Sequence, residues 1–169
     1  SFNKSIMKIN KFLIILFALF LFNYNSAYSA GSSSSSGSDG SSYGGMYDQG
    51  KRFVLRAKKL EKKNKIEKAE KLYLKALKRF EKAYAKDKKN ADILNYLGFT
   101  LRKTGNFEKA EFFYLKGLEL DANHLGINEY LGELYVNTNR IELAKKRLDV
   151  LNGCNCEEYE ELKALIEKE

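Results

Sequence analysis

Asn64-Lys65-Ile66-Glu67-Lys68-Ala69, Gly105-Asn106-Phe107-Glu108-Lys109-Ala110 and Asn139-Arg140-Ile141-Glu142-Leu143-Ala144 are three versions of one phrase. Their alanines lie 41 and 34 residues apart, a period that marks an internal repeat. Each phrase opens with Asn or Gly, the residues that tolerate the left-handed backbone closing a helix, and passes at once into an apolar-periodic run. The phrase therefore reads as the corner between two helices.

The flanking residues extend the repeat. After the alanine, Tyr73 and Ala76, Tyr114 and Gly117, and Leu148 and Leu151 fall at the fourth and seventh places, one helical face. Before the corner, the second unit reads Leu94, Leu97, Gly98, Leu101 and the third Asn128, Leu131, Gly132, Tyr135. Glycine inside a helix costs about 1 kcal/mol relative to alanine, so Gly98 and Gly132 are expected where two helix backbones approach closely. The first unit is looser: Phe53, Ala57 and Leu60 precede its corner, Ala69, Tyr73 and Ala76 follow, and the spacing recurs one heptad later as Phe80 and Ala83. Seven residues are close to two turns, which keeps the apolar face nearly in register. Seven helices are expected, at 51–63, 66–87, 91–103, 107–120, 125–137, 141–152 and 157–168. Paired helices with a stripe they cannot cover alone must stack, and the array needs a terminal helix with a polar outer face. In the last segment Tyr159, Leu162, Leu165 and Ile166 form the inner stripe, and Glu158, Glu160, Glu161 and Glu167 face water.

On these residues the stretch 51–156 resembles the tetratricopeptide repeat family, whose pattern is a large residue, Leu-Gly, Tyr, then Ala, Phe, Ala and a closing Pro. Units two (91–124) and three (125–158) carry it best. The closing proline is missing throughout, Ala122 standing in its place in the second unit. The resemblance implies an all-α superhelix of about three hairpins plus a C-terminal capping helix, one domain over 51–169. It also implies a concave surface, lined by the first helix of each pair, that takes a peptide or a partner's helix. Asp92, Asn95, Phe99 and Arg102, then Glu129, Glu133 and Asn137, are the inward candidates. Phe99 is either the apolar anchor of such a ligand or a residue packed between units. The Lys and Asn pattern with which some members hold a peptide carboxylate is not evident, so that specificity is not carried over.

The first thirty residues read as an export signal. Lys8 and Lys11 make a basic head, Phe12 to Phe22 is an unbroken apolar run of eleven residues, and Asn23 to Ala30 is a polar tail with small residues. The run is too short for a bilayer, which takes about 20 residues. Cleavage is expected near Ser29 or Ala30, Met7 is read as the initiator, and Ser1 to Ile6 as upstream of it. With no cysteine at the cut, nothing points to a lipid anchor, and the mature chain is expected in the periplasm or secreted. Residues 31–50, mostly Gly and Ser, read as a flexible linker.

Cys154 and Cys156 occupy the link before the last helix. In an oxidising compartment an internal disulfide, pairing with another chain or free thiols, and metal binding all remain open, although two sulfurs make a poor zinc site. Short exported repeat proteins of Gram-negative bacteria resemble this ending, with a cysteine pair before the last helix, though here the two stand closer together. The chain has no proline and no tryptophan, which suits long helices. It holds no G-x-S-x-G, H-E-x-x-H, Walker or Rossmann signature, its one histidine, His124, reads as an exposed loop residue between units, and Glu129 and Glu133 read as a solvated or partner-facing surface. The formal charge of +8 is unevenly spread: 51–90 carries +12 and 91–169 carries −5. That asymmetry either steers an acidic partner, an anionic surface or end-to-end self-association, or is an ordinary solvated lysine face. A non-catalytic adaptor that binds a protein or peptide, without cofactor, metal or nucleic acid, is the expected function; a redox or metal-handling accessory acting through the cysteine pair is the alternative.

Overall fold

Residues 43–168 are described in the computed structural model, and they fold into seven helices: α1 (Tyr43–Glu61), α2 (Ile66–Lys86), α3 (Ala91–Lys103), α4 (Phe107–Leu120), α5 (Leu125–Asn137), α6 (Ile141–Leu151) and α7 (Glu157–Ile166). The expected export signal and residues 31–42 of the expected linker lie outside the described residues. Antiparallel pairs α1/α2, α3/α4 and α5/α6 form three hairpins, and α7 packs on α5 and α6. The fold is all-α, as the periodicity requires.

The three phrases build the same corner three times. Asn64, Gly105 and Asn139 all have positive φ, at 54°, 83° and 57°. In each corner the next residue's N–H reaches back across the turn: Lys65 to the Leu60 carbonyl at 2.9 Å, Asn106 to Leu101 at 2.8 Å and Arg140 to Tyr135 at 2.7 Å. Together with the shorter bonds Asn64 to Glu61, Gly105 to Arg102 and Asn139 to Val136, this is a Schellman closure, which satisfies the last carbonyls of the helix.

The alternate corners repeat too, and here aspartate does what the absent proline was expected to do. Asp87 and Asp121 each end a helix, with N–H bonds of 3.0 Å to the carbonyls of Ala83 and Gly117. Each Oδ1 then accepts from the backbone N–H two residues on, at 3.1 Å, fixing a tight turn. Three residues after each aspartate stands the next N-cap: Asn90 accepts from the Ile93 N–H at 3.2 Å, and His124 from the Ile127 N–H at 3.1 Å.

Helix α1 begins eight residues before the expected boundary. Residues 43–50, assigned on composition to the linker, are helical. Met46 and Tyr47 pack on the first core cluster, the Tyr47 ring standing edge-on to Phe80 at 5.9 Å. Gly50 is buried against the Phe80 ring, where a Cβ would overlap it, so this glycine serves packing rather than flexibility.

Gly98 and Gly132 also make room for side chains, not for a second backbone as expected. A Cβ on Gly98 would enter the ring of Tyr114, from the partner helix α4, and one on Gly132 would enter Leu162 of α7. Tyr114 and Leu162 are both fully buried, and a buried side chain of this size contributes about 1.5–3 kcal/mol.

The packing pattern sets the curvature. α1 touches α3, α3 touches α5 and α5 touches α7, whereas α2 and α4 meet only through long side chains, Tyr84 against Phe113 at 5.6 Å and Lys116 on the Tyr84 hydroxyl at 2.8 Å. First helices are therefore close together and second helices splayed, which turns the row α1, α3, α5, α7 into the inner face. Among the described residues no helix is long and apolar enough to cross a membrane.

Candidate binding groove

Four helices converge on the inner face, and a cavity of about 540 Å3 opens among them. Its lining includes Tyr47 and Lys51 of α1, Asn95 and Tyr96 of α3, Glu129 and Tyr130 of α5 and Glu158 of α7. The pairs Asn95/Glu129 and Tyr96/Tyr130 stand 34 residues apart, so the repeat presents equivalent positions of successive helices to one space.

Aromatic rings form the floor. Tyr96 stacks on Phe80 at 5.0 Å and meets the edge of Tyr47 at 5.6 Å. Further along, Phe99 lies against Tyr130 at 4.8 Å and Tyr73 at 5.8 Å. Lys58 stands 5.1 Å from the Phe99 ring centre and donates to the Tyr130 hydroxyl at 3.3 Å. Arg102 sits 5.6 Å from both ring centres and pairs with Glu133. Burial pushes the phenols of Tyr96 and Tyr130 above their ordinary range, so both stay neutral hydrogen-bonding groups at physiological pH.

Carboxylates gather where α5 and α7 meet, and of these Glu129 and Glu158 line the cavity. Glu129 and Glu133 of α5 and Glu161 of α7 bring carboxylate oxygens within 4.8 Å of one another. Glu129 is only 4% exposed, and its carboxyl is pushed up to about 9. Burial is the main cause; a hydrogen bond with Glu161 and the negative charges of Glu133, Glu161 and Glu158 add to it. Arg102 answers Glu133, but among the described residues no lysine or arginine forms an ion pair with Glu129, Glu158 or Glu161. Close by, the Oδ1 of Asn95, a residue 6% exposed, has no hydrogen-bond partner.

The seven inward candidates divide. Asn95 and Glu129 line the cavity, and Asp92 stands at its exposed rim, where it takes a 3.1 Å hydrogen bond from His124 Nε2. Because His124 Nδ1 accepts from the Ile127 N–H, the ring proton resides on Nε2; the histidine is a cap and a clasp between units, not the exposed loop residue expected. Arg102 and Glu133 pair beside the cavity. Phe99 is 3% exposed and packs between units, beneath Lys58 and Tyr130. Asn137 is exposed at the end of α5 and does not line the cavity.

Sequence reasoning missed Tyr47 and Lys51, which fell inside the expected linker or at its edge, and Tyr96 and Tyr130, although their recurrence at 34 residues was a usable signal. Glu158, expected to face only water, lines the cavity, and Glu161, at an exposed position, stands with Glu129 and Glu133.

Cys154 and Cys156 are joined by a disulfide across Cα atoms 5.2 Å apart, closing the link from α6 into α7. Gly153 and Asn155, the two residues beside Cys154, take positive φ of 87° and 50°.

The sequence profile of the family Tetratricopeptide repeat matches residues 59–123. Residues 59–123 are thus similar to that family. The 34-residue recurrence carries the same corner and glycine positions on into α5 and α6. Solved structures that align with the chain include two in complex with peptides. One is the type III secretion chaperone SycD of Yersinia enterocolitica, in complex with a peptide of the translocator YopD; it is 18% identical, with a TM-score of 0.50, over 72% of this chain and 88% of that one. The other is the second tetratricopeptide domain of human RPAP3, in complex with an HSP70 peptide; it is also 18% identical, with a TM-score of 0.50, over 76% of this chain and all of that one. At this identity the likeness establishes the superhelical fold. No curated protein matches the chain.

Proposed function

We propose that the protein is a non-catalytic adaptor whose inner face holds a peptide or helix of a partner protein. The observation that carries this reading is the 540 Å3 cavity on the inner face, lined by residues from four separate helices. Aromatic walls with polar groups at fixed repeat positions suit an extended or helical polypeptide, which buries apolar side chains while its amides find acceptors. The peptides bound to the two aligned structures support the same reading. The proposal includes export to the periplasm or beyond, resting on the basic head, the eleven-residue apolar run and the small-residue tail of the first thirty residues. A disulfide between Cys154 and Cys156 is consistent with such a compartment.

Crosslinking in whole cells followed by mass spectrometry tests the adaptor. A photo-reactive residue at Tyr96 or Tyr130 is expected to capture a defined partner. The same group at Phe112, 59% exposed on α4, is expected not to. Equal capture from both positions sinks the reading.

A further inference from the structure

We propose that the two ends of the helix array bind each other between copies of the chain, the basic uncovered side of α1 in one copy docking on the acidic uncovered side of α7 in the next.

α1 and α7 are the terminal helices of the row α1, α3, α5, α7. Among the described residues α1 packs on α2 and α3 alone, and α7 on α5 and α6 alone, so each keeps a side that no helix covers. On α1 that side carries Arg52, Leu55, Lys59 and Lys62, at spacings of three, four and three, with Arg56 beside them. All five are exposed, Leu55 at 57%, while Val54 and Ala57 are buried on the other side. On α7 the uncovered row is Glu157, Glu160, Ala164 and Glu167, again at three, four and three and all exposed, with Leu162 buried opposite. Lys62 and Glu167 are each the first residue past their helix, and their N–H groups still bond four residues back, to Lys58 at 3.1 Å and Lys163 at 3.0 Å. Each row therefore follows the helical path over about 15 Å.

The rows match in length and spacing, oppose each other in charge, and hold one small or branched apolar residue apiece, Ala164 and Leu55. Neither is neutralised within its own chain. Among the described residues Arg52, Arg56, Lys59 and Lys62 form no ion pair, and neither do Glu157, Glu160 and Glu167. Asp48, one turn before Arg52, is already taken by Lys51 at 3.1 Å, and Lys168 ends the acidic row with one positive charge. Like charges three and four residues apart weaken a helix, and a surface that serves solubility alone does better with both signs interspersed. Here each sign is collected at one end and its complement at the other, and every copy carries both.

Because two different faces meet, the contact is head to tail, and it continues into a ring or filament instead of closing at two copies. Setting α7 against the next α1 prolongs the row of first helices from copy to copy. Exposed ion pairs are individually weak and are screened by salt, so the association is reversible and salt-sensitive.

Sedimentation velocity of the full chain tests this. At about 0.05 M salt the mean mass is expected to rise with protein concentration past that of a dimer, and at about 0.5 M salt to return to the monomer. Arg52→Glu, Lys59→Glu and Lys62→Glu together turn the α1 row acidic; Glu157→Lys, Glu160→Lys and Glu167→Lys together turn the α7 row basic. Each triple variant alone is expected to lose association by about tenfold or more, and an equimolar mixture of the two to assemble again, because acidic and basic rows then alternate. All six positions are exposed, and an unchanged far-UV circular dichroism spectrum checks that the fold is kept. A wild-type chain that stays monomeric at low salt, reversals that leave assembly unchanged, or a mixture that stays monomeric would each overturn the proposal. Crosslinking from Tyr130 reads the groove separately, since Tyr130 belongs to neither row.

Discussion

Gly98 and Gly132 do the same job 34 residues apart, each yielding its Cβ space to a buried side chain of a neighbouring helix. Alanine at either position should destabilise the protein by about 1–3 kcal/mol, the usual cost of overpacking, despite alanine's better helix propensity. A urea midpoint read by circular dichroism checks this, and an unchanged or raised midpoint contradicts it. The two glycines were legible in the sequence as a close approach, but whether backbone or ring filled the space depends on which residue of another helix lies opposite. Local periodicity carries no such information. Glu129 is the other residue with a sharp consequence. Its carboxyl titrates near 9 when folded and at its ordinary 4.5 when unfolded, so the native state binds the extra proton between those values. Stability should then be fully present below about 4.5 and fall as pH rises through about 9. Glu129→Gln should flatten that part of the profile of Tm against pH, and a parallel profile for the two proteins would contradict the assignment.

At the scale of the element, the corners were the most legible feature. A left-handed Asn or Gly followed by an apolar run is a local signal, and the three Schellman closures bear it out. The aspartate corners are just as local: Asp87 and Asp121 each close a turn by accepting from the N–H two residues on. The start of α1 was hidden for a different reason: glycine and serine favour the disordered state on average, and it is tertiary contact, of Gly50 and Tyr47 with Phe80 and of Tyr47 with Tyr96, that favours helix for 43–50. α7 is held by packing more than by its covalent loop. Replacing Cys154 and Cys156 by serine opens a ring of only three residues, which should cost under about 2 kcal/mol. Leu162→Ala should cost about 2–5 kcal/mol, since Leu162 is fully buried against Gly132. Hydrogen exchange distinguishes the two: α7 amides should lose protection in Leu162→Ala and keep most of it in the double serine variant. The reverse order would mean that the disulfide, not the leucine, docks the cap.

For the whole molecule, charge and curvature combine. The basic excess lies in 51–90, on α1, α2 and the turn that follows, while Glu129, Glu133 and Glu161 gather on α5 and α7. With Lys51 and Lys58 of α1 at the inner face, the proposed partner is expected to meet cations at the α1 end and carboxylates at the α5 and α7 end. Much of the contact is exposed, so binding should weaken as ionic strength rises from 0.05 to 0.5 M, roughly a threefold fall in screening length. The curved array was legible from the repeat; the groove chemistry was legible only in part, since Asn95 and Glu129 were found while Tyr96, Tyr130 and Glu161 were not. Site lining depends on the stacking of units, which no single repeat encodes. The central claim, that the inner face grips another polypeptide, is tested most directly by photo-crosslinking the full chain in cells from Tyr130 on the inner face and Phe112 on the outer. A discrete product from Tyr130 and none from Phe112 is the expected result; no product from Tyr130, or the same products from both, would contradict it.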